Sequence, residues 1–243
     1  MMKKTFLILI AFLWMGAGKS PEEILRQIDN NMYSDNVEMT SSMRIYGERA
    51  ERTLKAKTYS KGRKKSLTEF LEPPREKGVK MLKIDDNLWT FYPQADRIVK
   101  ISGHMLRQSL MGSDLSYEDM MEDERLFDAY SATITSVETF ESRLCYVMQL
   151  EAKRSDQTYQ LRKLWVDQEK YVPLKEELYA KGGRLLKRVL IRDIKKVGSR
   201  WYPFSIIYKD MLSTGKGTEL IIHDVIFDKV QPEATFSKGV LRR

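Results

Sequence analysis

The chain has 243 residues, of which 42% are hydrophobic and 31% are charged. That balance is too apolar for a disordered chain and suits one globular domain, so we expect residues 19–243 to fold as a single unit. One cysteine excludes an internal disulfide framework and a cysteine-rich zinc site. Two histidines and one cysteine make a catalytic site built on cysteine and histidine improbable.

The first residues, Met1–Gly18, have the composition of a secretory signal peptide. Lys3 and Lys4 form a basic start, an apolar run extends to Trp14, and small residues follow it. The apolar run is shorter than the ~20 residues that span a bilayer. We therefore expect a cleaved signal and an exported protein, with an uncleaved N-terminal anchor as the alternative. No cysteine follows the cleavage region, so we expect no lipid anchor.

The formal net charge is +8, from 42 lysines and arginines against 34 acidic residues. A basic balance favours an anionic partner, but an exported protein is not expected to meet nucleic acid. We therefore expect an anionic lipid headgroup or membrane surface rather than nucleic acid, with dispersed, solvated charge as the alternative.

A helix is predicted to begin directly after the signal peptide. Ser20 can cap it, Pro21 fits the first helical position, and Glu23 completes a capping box. The helix should end near Tyr33 or Ser34. It is amphipathic and must therefore lie on an apolar surface. Its apolar face consists of Ile24, Leu25, Ile28 and Met32.

From Asn36 onwards the hydrophobic period changes to two, which is typical of half-buried strands. Short turns, such as Lys61-Gly62 and Lys181-Gly182-Gly183, separate these strands. We predict about eleven to thirteen strands in an antiparallel meander that must curl or close. Its inner side could be filled by side chains or could hold a cavity.

Residues 102–129 interrupt the strand pattern. Ser116 and Asp119 form a second capping box, at the start of a short helix that continues through Met120 and Met121. Long connections inside compact domains are usually lids or binding loops. Methionine suits apolar ligands of varied shape. We therefore expect this inserted segment and the N-terminal helix to cover the open end of the curved sheet.

The inserted segment contains a cluster of five acidic residues, Glu118, Asp119, Glu122, Asp123 and Glu124. A calcium site is one interpretation, but the spacing matches no calcium loop. An acidic helix start favoured by the helix dipole is the interpretation that we prefer. No catalytic or cofactor motif occurs elsewhere. We therefore expect no metal, no cofactor and no catalytic residue.

Three stretches resemble the outer-membrane lipoprotein-sorting protein family, the relatives of the periplasmic carrier LolA. Leu88–Pro93 with Arg97–Ile101 resembles its Trp-x-Tyr-x-Pro…Arg-Arg-Ile pattern, and Phe70–Gly78 resembles the preceding hairpin. The most specific stretch is Met111–Asp119, which resembles the signature Gly-Ser/Thr-Asp-Phe-Ser-Tyr-Glu-Asp. The matching motif residues are Gly112, Ser113, Asp114, Tyr117, Glu118 and Asp119.

The resemblance spans roughly residues 20–240 and departs from the family pattern at two positions. Leu115 stands where phenylalanine is usual, and Lys100 replaces a more common arginine. The resemblance implies a mainly β fold, a half-open antiparallel barrel of about eleven strands with helices across its mouth. It also implies a non-catalytic periplasmic carrier with an apolar cavity for acyl chains.

The partners implied are an acylated lipoprotein or phospholipid cargo, a membrane lipid exporter and an outer-membrane acceptor. We expect the carrier to be a monomer. A sensor or accessory module that binds a lipid or protein ligand with the same fold is the alternative.

Alternation along the strands and the two covering elements predict which residues meet the acyl chains. The predicted cavity residues are Val37, Met39, Met43, Ile45, Leu54, Trp89, Phe91, Tyr146 and Met148. The predicted lid residues are Ile24, Ile28, Met111, Leu115, Met120 and Met121.

Overall fold

The computed structural model describes residues 18–48, 50–122 and 124–243. The predicted signal peptide, up to residue 17, and Asp123 of the acidic cluster therefore lie outside the described residues. Within the described ranges, no helix is long and apolar enough to cross a membrane.

The N-terminal helix α1 begins and ends close to the predicted positions, at Pro21–Met32. Ser20 and Glu23 form the predicted capping box, in which each side chain accepts a hydrogen bond from the other residue's backbone N–H. Such a cap stabilises a helix by about 1 kcal/mol. Two shorter helices lie in the inserted segment, α2 at Tyr117–Met121 and α3 at Leu126–Ala129.

Thirteen strands make up the rest of the regular structure. They are β1 Asn36–Tyr46, β2 Glu51–Lys61, β3 Lys65–Glu72, β4 Lys80–Ile84, β5 Asn87–Tyr92, β6 Arg97–Ile101, β7 Tyr130–Phe140, β8 Arg143–Ala152, β9 Leu161–Asp167, β10 Pro173–Tyr179, β11 Leu185–Val197, β12 Arg200–Asp210 and β13 Gly217–Phe227.

All thirteen strands belong to one antiparallel sheet with the order β6-β5-β4-β3-β2-β1-β13-β12-β11-β10-β9-β8-β7. Each strand pairs with the next strand in sequence, apart from β6 and β7, which the inserted segment separates. In addition, β1 pairs with β13. The sheet therefore has two edges, β6 and β7, that do not pair with each other. The predicted mainly β, half-open architecture is confirmed, with thirteen strands.

The sheet has an inner face, which carries α1 and the inserted segment, and an outer face on the opposite side. On the β1–β6 half, the inner face contributes an apolar cluster that includes Met43, Leu54, Phe70 and Leu88. Leu54 and Leu88 are at most 1% exposed. Full burial of a side chain of this size contributes about 1.5–3 kcal/mol, so this cluster is a major part of the core.

The C-terminal tail covers the outer face of the same half of the sheet. Leu241, which is fully buried, packs with Leu67 and Leu82. The Nζ of Lys80 donates hydrogen bonds to the carbonyls of Val240 and Arg243, the second at 2.7 Å. The tail therefore closes a second, smaller core behind the sheet.

Trp89 and Phe91 lie in this outer cluster, so their predicted place in the cavity is wrong. Trp89 pairs with Leu82 across the β4–β5 ladder and has the ammonium of Lys238 4.2 Å from its ring centre. Leu88 is the neighbour that faces inwards. Residues in a strand alternate between faces, and β5 is apolar on both, so the sequence pattern did not distinguish them.

Candidate functional site

The inserted segment covers the inner face over β1–β6. The predicted cavity residues Met43, Ile45 and Leu54 are buried there. The lid residues that pack against their cluster are Met111, Leu115, Met120 and Met121. The structure thus brings these two predicted sets together, with the covering side chains in direct contact with the sheet.

Helix α1 covers the other half of the inner face. Ile24 and Ile28 pack with Met148 in an apolar cluster against which Tyr146 also lies. Ile24, Ile28 and Met148 are at most 1% exposed. Together with α3, this helix occupies the space over β7–β9 that the sequence analysis assigned to a cavity.

A cleft remains between the end of α1 and the end of α2. It encloses a cavity of about 240 Å³, and Val37 and Met39 lie in its wall. Both side chains are partly exposed. The other apolar and aromatic groups of the wall are Met32, Tyr33, Met120 and Tyr202. Of the predicted cavity residues, Val37 and Met39 therefore have open space beside them.

A second cavity, of about 210 Å³, lies on the other side of Tyr33 and Glu122, which belong to both walls. Its wall includes Met121 and Leu126 from the inserted segment and Arg162 from β9. Arg162 is almost fully buried. Both walls also carry other charged side chains, among them Arg63, Lys65 and Lys83 in the first cavity and Glu118, Glu124, Arg154 and Asp156 in the second.

The signature residue Asp114 attaches the inserted segment to the β12–β13 hairpin. Its carboxylate accepts hydrogen bonds from the backbone N–H of Asp210 at 2.9 Å and from the hydroxyl of Thr218 at 2.8 Å. The Thr218 hydroxyl in turn accepts from the Asp114 backbone N–H at 2.9 Å. Asp114 is 8% exposed and Thr218 is fully buried. These bonds are charge-assisted and shielded from water, which makes them strong.

Other signature residues shape the same segment. Gly112 has a φ of 71°, and a side chain at this position would meet the guanidinium of Arg52 at 2.8 Å. Tyr117 is buried in the apolar cluster, where burial raises its pKa to about 12. Ser113 accepts a hydrogen bond from the backbone N–H of Leu115 at 3.2 Å. Glu118 lies in the wall of the second cavity.

Asp119 completes the predicted capping box with Ser116 and also contacts the sheet. Its carboxylate forms an ion pair with Lys187 of β11 and accepts a 2.5 Å hydrogen bond from the hydroxyl of Tyr159. Both charged side chains are about nine-tenths buried or more. Burial opposes ionisation, but Lys187 and the hydrogen bonds outweigh it, and the pKa of Asp119 lies below its ordinary value.

Glu122 forms the second contact of this kind. It pairs with the guanidinium of Arg162 at 2.6 Å, and Glu176 of β10 lies 3.9 Å from the same guanidinium. The rings of Tyr130 and Tyr159 also lie within 5.4 Å of it. Burial and the nearby Glu122 raise the pKa of Glu176, although Arg162 opposes this shift.

The acidic helix start preferred above is present, because Glu118 and Asp119 lie in the first turn of α2, but the cluster also pairs with cations outside the helix. Asp119 and Glu122 pair with buried cations of the sheet, and Glu124 pairs with the exposed Arg154 at 2.6 Å. Sequence reasoning missed Arg162 and Lys187 because they lie 40 and 68 residues from their partners. Their inward position in otherwise apolar, alternating strands is the signal that could have found them.

Comparison with known proteins agrees with this geometry. A family model described as "Uncharacterized protein" matches residues 62–243. The chain belongs to this family. Comparison with curated proteins finds no match.

Solved structures show which fold the chain shares. A DUF1329 family protein from Desulfovibrio piger has a TM-score of 0.82 and 23% identity, over 92% of this chain and 100% of that one. A domain named for outer membrane lipoprotein sorting, from Vibrio parahaemolyticus, has a TM-score of 0.79 and 24% identity, over 92% and 98%. A LolA superfamily protein from Nitrosomonas europaea has a TM-score of 0.76 and 25% identity, over 92% and 100%. The resemblance inferred from the sequence motifs is confirmed.

Proposed function

We propose that the protein is a periplasmic carrier that shelters the acyl chains of a lipoprotein or lipid on its way to the outer membrane. The observation that carries this proposal is the way in which the inner face is covered. Helix α1 and the inserted segment, residues 102–129, together form what we call the cover. The apolar side chains of the inner face are covered by these elements outside the sheet, and a cleft lined by Val37 and Met39 opens between them.

The physical argument is an exchange of apolar contacts. An acyl chain gains about 0.8 kcal/mol for each CH₂ removed from water. The two cavities hold part of such a chain, and the rest must replace Met111, Leu115, Met120 or Met121 on the sheet. The acyl chain thereby offsets the apolar contacts that the sheet loses when these side chains leave.

The proposal includes partners on both sides of the transfer. The cargo is an acylated lipoprotein or a phospholipid, the donor a membrane lipid exporter, and the acceptor a component of the outer membrane. The names of the proteins from Vibrio parahaemolyticus and Nitrosomonas europaea support a role of this kind. The carrier acts as a monomer and uses no cofactor.

Native mass spectrometry of the protein isolated from its own compartment tests the proposal. We expect one lipid or acylated peptide for each protein molecule, identified by extraction. An empty protein that also fails to take up a fluorescent fatty acyl probe would contradict the carrier function.

The cleft is tested by Met39→Asp. A carboxylate in the cleft opposes entry of an acyl chain, because burying a charge without a partner is costly. We expect uptake of the acyl probe to fall at least tenfold while the circular dichroism spectrum stays unchanged. Leu144→Asp is the matched control, because Leu144 is apolar and 53% exposed outside the cleft wall. Equal uptake by both variants would remove Met39 from the site.

A further inference from the structure

Among the described residues, two buried cations of the inner face have their nearest carboxylates in the inserted segment. Arg162 on β9 and Lys187 on β11 both pair in register with Leu178 of β10, so they lie in one row across three strands. Their side chains are 10% and 7% exposed. Their near carboxylates, Glu122 and Asp119, belong to the cover and not to the sheet.

One further acid, Glu176, belongs to the sheet beside Arg162. It lies 3.9 Å from the guanidinium, whereas Glu122 lies at 2.6 Å. Even when Glu176 is ionised, the sheet supplies one carboxylate near the two cations, and that carboxylate is the more distant of the two beside Arg162. The charge balance of the inner face therefore depends on whether the cover is in place.

Opening the cover changes that balance. If the inserted segment leaves, Arg162 loses its nearer partner Glu122 and keeps only the more distant Glu176. Lys187 and the hydroxyl of Tyr159 both lose Asp119. Removing one partner of a buried ion pair is strongly destabilising, because the other charge stays out of water without compensation. A neutral acyl chain fills the space but cannot supply the missing negative charge.

We propose that the cargo carries an anionic headgroup, a carboxylate or phosphate, which takes the place of Asp119 and Glu122 on Lys187 and Arg162. This inference rests on the proposed carrier function and names the class of its ligand, an anionic amphiphile. The two carboxylates of the cover act as internal substitutes for the headgroup. Planar guanidinium and compact ammonium groups both bind carboxylate and phosphate well.

The second cavity provides the approach to this site. Arg162 and Glu122 both lie in its wall, together with the apolar Met121 and Leu126. The rest of the wall is largely polar and includes Glu118, Glu124, Asp156 and Arg154. An amphiphile in this cavity can place its headgroup beside the Arg162 guanidinium and the start of its chain against Met121 and Leu126. The headgroup then competes directly with Glu122.

The unmodified protein provides the first test, by calorimetric titration with three probes. Laurate and lauryl alcohol have the same chain length and differ in charge, and inorganic phosphate has the charge without a chain. We expect laurate to bind at least tenfold more tightly than lauryl alcohol and inorganic phosphate not to bind measurably.

Equal binding of laurate and lauryl alcohol would overturn the headgroup site and leave the carrier function standing. Failure of both to bind would contradict the carrier function itself. Phosphate that binds as tightly as laurate would make the site one for free anions and overturn the inference.

Competition gives a second test that a purely structural role would not pass. Glu122→Gln weakens the internal substitute, so laurate should bind several-fold more tightly, with lauryl alcohol changed less. Glu141→Gln is the matched control, since Glu141 pairs with the exposed Arg192 and neither residue lies in the wall of the second cavity, and laurate affinity should stay unchanged. Arg162→Met together with Glu122→Gln should abolish the preference for laurate. Weaker laurate binding by folded Glu122→Gln, or a preserved preference in the double variant, would overturn the inference.

Discussion

At the scale of single residues, the ion pair between Asp119 and Lys187 is the interaction most sensitive to substitution. Both groups are buried, and the carboxylate also accepts the hydroxyl hydrogen bond of Tyr159. A buried pair of this kind contributes little compared with an apolar replacement of both partners. Loss of one partner has a large effect, because the other charge cannot reach water.

Asp119→Asn is therefore expected to lower the free energy of unfolding by about 3–5 kcal/mol. Urea denaturation followed by tryptophan fluorescence measures this change. Asp193→Asn is the control, because Asp193 pairs with Lys195 and both side chains are more than half exposed. We expect its effect to stay within about 1 kcal/mol. Similar losses in the two variants would show that burial of the Asp119 pair is not important.

The same carboxyl predicts a pH dependence of stability. The pKa of Asp119 in the folded protein lies below its ordinary value of 3.8. The ionised Asp119 carboxylate therefore makes its full contribution to the free energy of unfolding above pH 3.8. That contribution is lost as the pH falls through the lower pKa of the folded state. Unfolding free energies measured across this acidic range should fall less steeply for Asp119→Asn than for the unmodified protein. Parallel curves would contradict the assignment.

The sequence predicted the local contacts of Asp119 but not its contacts with the sheet. The capping box of Ser116 and Asp119 was predictable because its members are three residues apart. The partners on the sheet were not, since Lys187 lies far along the chain and ion pairing between distant strands has no local signature. The acidic cluster was therefore correctly assigned to a helix start, but its ion pairs with the sheet were not predicted.

At the scale of elements, two different kinds of interaction attach the inserted segment to the sheet. Apolar contacts hold Leu115 and Met120 over β1–β6, and Asp114 binds the β12–β13 hairpin through Asp210 and Thr218. Motion of the segment therefore requires the loss of a few directional bonds as well as apolar contacts.

Asp114→Asn tests this attachment. An amide can keep one acceptor but lacks the charge, so about 1–3 kcal/mol of stabilisation should be lost locally. Hydrogen exchange measured by mass spectrometry should rise in residues 102–122 and stay unchanged in α1. Faster exchange throughout the sheet, instead of in the segment, would mean that Asp114 stabilises the whole fold and not the cover.

Adjacent residues of β5 provide a test of which face each side chain occupies. Leu88→Ala should loosen the inserted segment, because Leu88 packs beneath it, and Trp89→Ala should loosen the C-terminal tail at residues 232–243. Hydrogen exchange of the two regions separates the effects. Trp89→Ala should leave acyl uptake unchanged. If both substitutions loosened the same region, the assignment of faces would be wrong.

At the scale of the whole molecule, the periodic pattern predicted most of the architecture. Strands such as Asn87–Tyr92 and Arg97–Ile101 match the expected ranges because alternation and turn residues are local signals. The face that each strand presents depends on what packs behind it. The tail that buries Trp89 and Phe91 comes from the far end of the chain, so alternation alone could not place those two side chains inside or outside.

The unpaired edges of the sheet have a consequence for capacity. In a closed barrel, the number of strands and their stagger fix the radius. Here the backbone ladder ends at β6 and at β7, and the chain that joins those strands is the inserted segment itself. The gap between the edges can widen without breaking any interstrand hydrogen bond. For the proposed carrier function, this open seam would allow one molecule to accept cargoes with different numbers of acyl chains.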